Sequence, residues 1–225
     1  MTGLYNHGWI CGIIHDMEYK EALCSRFIRY TAFDTMSDQS LAGKVRPTTE
    51  GQEKMFLALS DEMRKLGLEV YYGEEKVLMG VLEGNGAEGS VAFMAHVDTA
   101  SDVPGNGVKA NLIRSYDGSP IVLDGVTIDP AEDPDLLKYV GSGIITSDGN
   151  TLLGSDDKAG VAIIMTALSY LSEHKEIRHP RVEVFFAPDE ETGTGADRFP
   201  YERMRSSVCY TIDGEAEGEI EAECF

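Results

Sequence analysis

Apolar residues Leu23, Phe27 and Ile28 recur at helical spacing, which predicts a first helix from Met17 to Tyr30. A polar stretch, residues 31–46, reads as a loop. Thr49-Glu50-Gly51-Gln52 fits a capping box that opens a second helix. The apolar face of that helix is Met55, Phe56, Leu59, Met63 and Leu66, and Gly67 ends it. Leu68 to Tyr72 and Val77 to Leu82 predict two strands joined by a Gly-containing turn. Ser90 to Val97 is nearly continuously apolar, as in a strand buried on both faces. From Asp98 to Asp148 only short apolar runs interrupt Gly, Asp and Pro. That span is too long for a structureless connection, so short strands and functional loops are expected. Ala159 to Leu171 predicts a long helix, Val182 to Ala187 a buried strand and Cys209 to Ile212 another. Glu219 to Cys224 alternates acidic and apolar positions, the pattern of a half-buried strand. The order of elements fits an α/β domain with a mixed sheet flanked by helices.

Composition narrows the function classes. The chain has 225 residues, 42% of them hydrophobic, enough for a globular core. Its 39 acidic and 19 basic residues give a net charge of −20, which repels nucleic acid and anionic membrane; solubility is the plain reading of that charge. Residues 1–16 form an extension with apolar Trp9, Ile10, Ile13 and Ile14. It lacks a basic n-region and is too short to span a bilayer. Cys11, Cys24, Cys209 and Cys224 contain no C-x-x-C pair, which favours free thiols in a reducing cytoplasm.

Chemistry concentrates where strands end. His96 follows the run Val91–Ala95, Glu190 and Glu191 follow Val182–Ala187, and Asp213 follows Tyr210–Ile212. In an open α/β sheet ligands collect at the carboxyl ends of strands. Asp98, two residues beyond His96, lies on the same side of an extended segment and can orient the imidazole. Asp156-Asp157-Lys158 precedes the long helix; a carboxylate there can bridge two metal ions, although an acidic first helical turn explains it equally well taken alone. The doublet Glu190-Glu191 calls for a division of labour, one carboxylate on a metal and the other taking a proton from water. Gly193 and Gly195 allow the backbone to turn sharply there.

The blocks MAHVDTA, TLLGSDDKAG, APDEETGTGA and YTIDGEAEGEIEAECF resemble those of the zinc-dependent M20 peptidases. Pro47-Thr48-Thr49-Glu50-Gly51-Gln52 and the long segment after His96-Val97-Asp98-Thr99 are similar to the tripeptide aminopeptidase branch, peptidase T. The resemblance runs from about Met17 to Phe225. It implies two zinc ions: His96 and Asp213 on one, Asp156 bridging both, Glu191 on the second. Glu190 would be the general base and Asp98 the support of His96. Cobalt or manganese can replace zinc at such ligands. Ser155 stands where the family usually has Ala, and Glu215 where Gly is usual.

Family members are longer, with an inserted lid domain after the strand of the Asp213 equivalent and a later second His ligand. The resemblance therefore implies an extension, 1–16, and a partial catalytic domain, 17–225, with the lid domain absent and the second zinc weakly held. The expected function is cytoplasmic hydrolysis of the N-terminal bond of short peptides, tripeptides above all. The alternatives are a non-catalytic remnant, one piece of a split enzyme, or a related dipeptidase, carboxypeptidase or deacylase. An exposed sheet edge would favour self-association or pairing with a missing C-terminal half.

Overall fold

The structure, a computed structural model, describes residues 17–214 and 220–221. The extension 1–16 and Glu215 lie outside the described residues, as does the expected strand 219–224 apart from Ile220 and Glu221, which show no strand structure.

The chain folds as a mixed α/β domain. Two helices come first, α1 (Met17–Thr31) and α2 (Glu50–Lys65), then strands β1 (Glu69–Tyr72), β2 (Leu78–Leu82) and β3 (Ser90–His96). Four short strands follow, β4 (Asn111–Ile113), β5 (Ile121–Val122), β6 (Thr127–Ile128) and β7 (Ile144–Thr146); β4 pairs with β7 and β5 with β6. The expectation that residues 98–148 carry short strands therefore holds. Helix α3 (Ser155–Glu173), β8 (Arg181–Ala187) and β9 (Cys209–Thr211) complete the described α-helices and strands.

Five strands form one sheet in the order β1-β2-β8-β3-β9. β1, β2 and β8 pair antiparallel, whereas β8, β3 and β9 run parallel. The parallel trio brings three carboxyl ends to one rim, and α3 is the crossover between β3 and β8. Alternation along the strands sends Leu78, Leu82, Ala95, Val182, Val184 and Phe186 to one face. All three helices cover that face with Phe27, Tyr30, Phe56, Leu59, Met63, Met165 and Leu168. Each such buried side chain contributes about 1.5–3 kcal/mol of hydrophobic stabilisation. The opposite face has a smaller core of Val77, Met79, Val81, Ala92 and Phe185, with Phe199 and Met204 packed on it. Glu183, fully buried on this face, is held by Arg181 Nε, the Arg205 and Ser206 amides and the Ser206 hydroxyl.

Two expectations need correction. Thr49 is the extended N-cap of α2, but its side chain makes no capping bond, so no capping box forms. Gln52 turns instead to Thr48, Thr49 and the buried carboxylate of Asp189, a charged acceptor that draws donors more strongly than a neutral one. The strand at Cys209 is not buried on both faces: β9 pairs only with β3 among the described strands, and Tyr210 is 43% exposed. An apolar run at a sheet edge carries the same local signal as one in the middle. Cys24 and Cys209 are free and half-buried, and among the described residues no helix is long and apolar enough to cross a membrane.

Candidate metal centre

His96 is the last residue of β3, and its ring is buried, with 3% side-chain exposure. Nε2 lies 2.9 Å from Asp156 Oδ1, 3.7 Å from Asp213 Oδ2 and 3.9 Å from Glu190 Oε2. On the other side of the ring, Nδ1 sits 3.3 Å from Asp98 Oδ1, close enough for charge attraction but without the alignment of a hydrogen bond. One ligand atom each from His96, Asp156 and Asp213 lie within 4.8 Å of one another. Strand β3, the start of α3 and the end of β9 thus deliver three donors to one point. Glu191 is not in that group among the described residues, although its carboxyl feels the Asp156 charge.

Local structure explains how adjacent acids separate. Asp156 (φ −82°, ψ 108°) and Asp157 (φ −119°, ψ 34°) both depart from helical dihedrals at the start of α3. Asp156 reaches the rim with its side chain 69% exposed. Asp157 is buried, and its carboxylate accepts the His96 amide at 3.2 Å and the Gly160 amide at 3.0 Å. Gly160 is required here: a Cβ would stand 2.1 Å from Ile212 O and 2.3 Å from Asp157 Oδ1.

The Glu190-Glu191 turn is tied down through its backbone. Asp98, fully buried, accepts the Glu190 amide at 2.9 Å on Oδ1 and the Glu191 amide at 3.1 Å on Oδ2. The same carboxylate thus touches both the His96 ring and the Glu pair. Left-handed backbone occurs at Asp189 (φ 58°) and Gly193 (φ 73°). Gly195 matters for closeness instead, since a Cβ there would lie 3.0 Å from Glu190 Cα.

Electrostatics mark the site as short of positive charge. Burial opposes protonation of His96, but Asp98, Asp157 and Asp213 outweigh it and push the imidazole up to about 10. Burial raises Asp157 to about 8, with Asp213 adding to the effect. Burial also raises Asp213; His96 offsets part of the rise, and Asp156 and Glu190 add to it. A cation at this point would relieve the crowding, and a nitrogen donor with carboxylate oxygens suits zinc. The donor set therefore fits a divalent metal.

Two further residues belong to this frame and carried no metal-type signal in the sequence. Gln52 and Lys158 are buried, and Lys158 Nζ donates to Phe33 O at 2.8 Å, with burial lowering it to about 8. In the sequence Gln52 was visible as part of the block Pro47–Gln52 and as the end of an expected capping box, not as a residue of the site. A cleft of about 290 Å³ adjoins the site, with His96, Glu190 and Asp213 on its wall beside Met94, Ala95 and Ala196. A hollow of about 310 Å³ elsewhere on the sheet is lined by Arg181, Arg203 and Arg205. Two of its cations are engaged, Arg181 by Glu83 and Glu183 and Arg203 over the Tyr71 ring, and no histidine lines it.

A mixed sheet that gathers a histidine and carboxylates at the ends of parallel strands defines an α/β protein with a candidate metal site. No protein-family model matches the chain. Whole-protein relatives do: the chain is 42% identical over 209 residues to peptidase T of Desulfitobacterium hafniense, covering 91% of this chain and 50% of the relative. It is also 42% identical over 212 residues to peptidase T of Bacillus subtilis, covering 92% and 51%. Among solved structures, aminopeptidase PepT from Bacillus cereus matches with a TM-score of 0.61 at 26% identity, over 88% of this chain and 44% of that one. A tripeptidase from Staphylococcus aureus matches with a TM-score of 0.63 at 25% identity, again over 88% and 44%. The chain is an M20-type peptidase T homologue. It spans about half the length of the curated relatives it matches.

Proposed function

We propose that this chain carries the metal-binding face of a zinc-dependent aminopeptidase that removes the N-terminal residue of short peptides, tripeptides in particular, in the cytoplasm. The observation that supports this most is the convergence of His96, Asp156 and Asp213 within 4.8 Å at the rim of a peptidase T-like sheet. His96 and Asp213 would hold one ion, Asp156 would bridge to a second, and Glu191 would bind that second ion. When bound, the metal supplies Lewis-acid polarisation of the scissile carbonyl and a lower pKa for water.

The chain's own residues do the rest. Glu190, on the cleft wall 3.9 Å from His96 Nε2, accepts a proton from the attacking water and returns it to the leaving amine. Asp98 attracts the His96 Nδ1–H and so presents Nε2 to the site. Its second task, holding the Glu190 and Glu191 amides, keeps the proton carrier in register with the imidazole.

Zinc stoichiometry of the chain beside Asp156→Ala tests the reading, followed by hydrolysis of tripeptides with free and blocked N-termini. Bound zinc that is lost in the variant, with cleavage of free tripeptides, is the expected result. Strong cleavage of blocked peptides would overturn the aminopeptidase assignment in favour of a related deacylase or carboxypeptidase. The half-length match, with β9 an exposed edge among the described strands, supports a second reading in which the chain works only with a C-terminal partner. Zinc binding without turnover, restored by adding such a partner, would favour that reading.

A further inference from the structure

The turn that carries Glu190 and Glu191 is gripped from behind by the loop ahead of α2. Asp189, immediately before the pair, is 1% exposed, and a carboxylate so buried requires several donors. It has them: Thr48 N at 3.0 Å and Thr48 Oγ1 at 2.6 Å, with Gln52 Nε2 at 2.8 Å. Gln52, fully buried, closes the contact in the other direction, its Oε1 accepting the Asp189 amide at 3.1 Å. One side-chain amide therefore pairs with both the backbone and the side chain of Asp189. That pairing supports a left-handed conformation, φ 58°, that a non-glycine residue seldom adopts. Arg46 holds the far end of the turn, donating to Thr194 O at 2.5 Å and Gly195 O at 2.7 Å.

We propose that Gln52 is a positioning residue: through Asp189 it sets the turn that aims Glu190 and Glu191 at the His96–Asp156–Asp213 cluster. Gln52 touches none of the three cluster residues in any contact described above; it acts through Asp189. The aiming part of this inference rests on the metal-site reading, whereas the setting of the turn does not.

The test separates the two. In Gln52→Glu, an isosteric change, a carboxylate faces the Asp189 carboxylate and the Nε2 donation is lost, while the Thr48 donors remain. In the double variant Gln52→Glu/Asp189→Asn the polarity of the bond is reversed and complementarity returns. Hydrogen exchange is read at the Glu190 and Glu191 amides, which Asp98 protects, and at Val184 and Phe186 in the adjoining strand. Exchange at 190 and 191 is expected to rise at least about tenfold in the single variant and to recover in the double, with the strand unchanged. Unchanged exchange at 190 and 191 would overturn the proposal. So would equal loosening of strand and turn, because Gln52 would then be a general structural residue. Should Gln52→Glu not fold, Thr48→Val breaks the same cradle more gently and is read at the same amides. Zinc titration of the folded variants addresses the aiming, with affinity expected to fall about 10–100-fold in Gln52→Glu and recover in the double variant. A native chain that binds no zinc, but whose turn loosens as described, overturns the metal reading and leaves the positioning of the turn standing.

Discussion

Two acidic doublets approach the same histidine, and the fold treats them differently. Asp156-Asp157 is split by the sheet: Asp156 stands at the rim beside His96 Nε2, while Asp157 turns inward and accepts two backbone amides. Glu190-Glu191 is not split in this way. Both of its amides are bound by Asp98, and its side chains are left to the cleft and the neighbouring charges. The first doublet thus pairs one chemical group with one structural group. The second offers two chemical groups on a turn whose backbone is fixed from outside. Adjacent carboxylates repel, and these are two ways of tolerating the repulsion: bury one on N–H donors, or anchor the backbone and let a cation fill the gap.

Breaking the second doublet should have the largest effect. Glu190→Gln keeps shape and hydrogen-bonding capacity but cannot take up a proton. Peptide turnover should fall by about 10²–10⁴-fold with zinc stoichiometry unchanged. Loss of zinc in that variant would make Glu190 a ligand and remove the contrast with Glu191. For the first doublet, Asp156→Ala should lower zinc affinity by more than about a hundredfold, since outer partners alone are worth about 10–100-fold, with little change in the thermal stability of the metal-free chain.

Asp157→Ala should do the reverse. It leaves the buried His96 and Gly160 amides without an acceptor and should cost about 1–3 kcal/mol in chemical denaturation. Gly160→Ala attacks the same spot by volume and should cost a similar amount, about 1–3 kcal/mol. Equal effects of Asp156→Ala and Asp157→Ala on both stability and zinc affinity would erase the proposed division.

The sequence pattern displayed one doublet better than the other. The strands leading to His96 and Glu190 were legible because long apolar runs end abruptly in polar residues, the one leading to Asp213 from a shorter run, and the helix after Asp157 from its apolar spacing. Which aspartate of 156 and 157 faces the rim was not readable from periodicity, because both lie at a break in helical geometry. The resemblance to M20 enzymes pointed to Asp156, and the structure brings that residue to His96. Asp189 was invisible as a buried acid, since its donors Thr48 and Gln52 lie some 140 residues earlier in the chain. The same long-range pull misdirected the expectation for Gln52, whose local pattern spelled a capping box. β9 misled for a related reason: hydrophobicity reports that a strand can be buried, while its place at an edge depends on what pairs with it.

The smallest expected effect concerns pH, and it joins the two doublets through His96. Asp157 is raised from 3.8 to about 8, chiefly by burial, so the folded chain holds this proton more tightly than the unfolded chain. Its contribution to stability is complete below about pH 4 and is lost as pH rises through about 8. His96, raised from 6.5 to about 10 by its carboxylate neighbours against the effect of burial, acts in the same direction. Its share is complete below 6.5 and is lost as pH rises through about 10. Glu62 acts oppositely: burial works against its ionisation, but Arg26, Tyr30 and Arg29 prevail and lower it, so its contribution is lost as pH falls. Melting of the chelator-treated chain should therefore move to lower temperature between about pH 4 and pH 10, as first the Asp157 and then the His96 proton is lost. Zinc should reverse the slope, because it binds the deprotonated ligands and its stabilisation grows as protons leave. Parallel melting curves with and without zinc across that range would mean that the acids around His96 are balanced within the protein and do not await a cation.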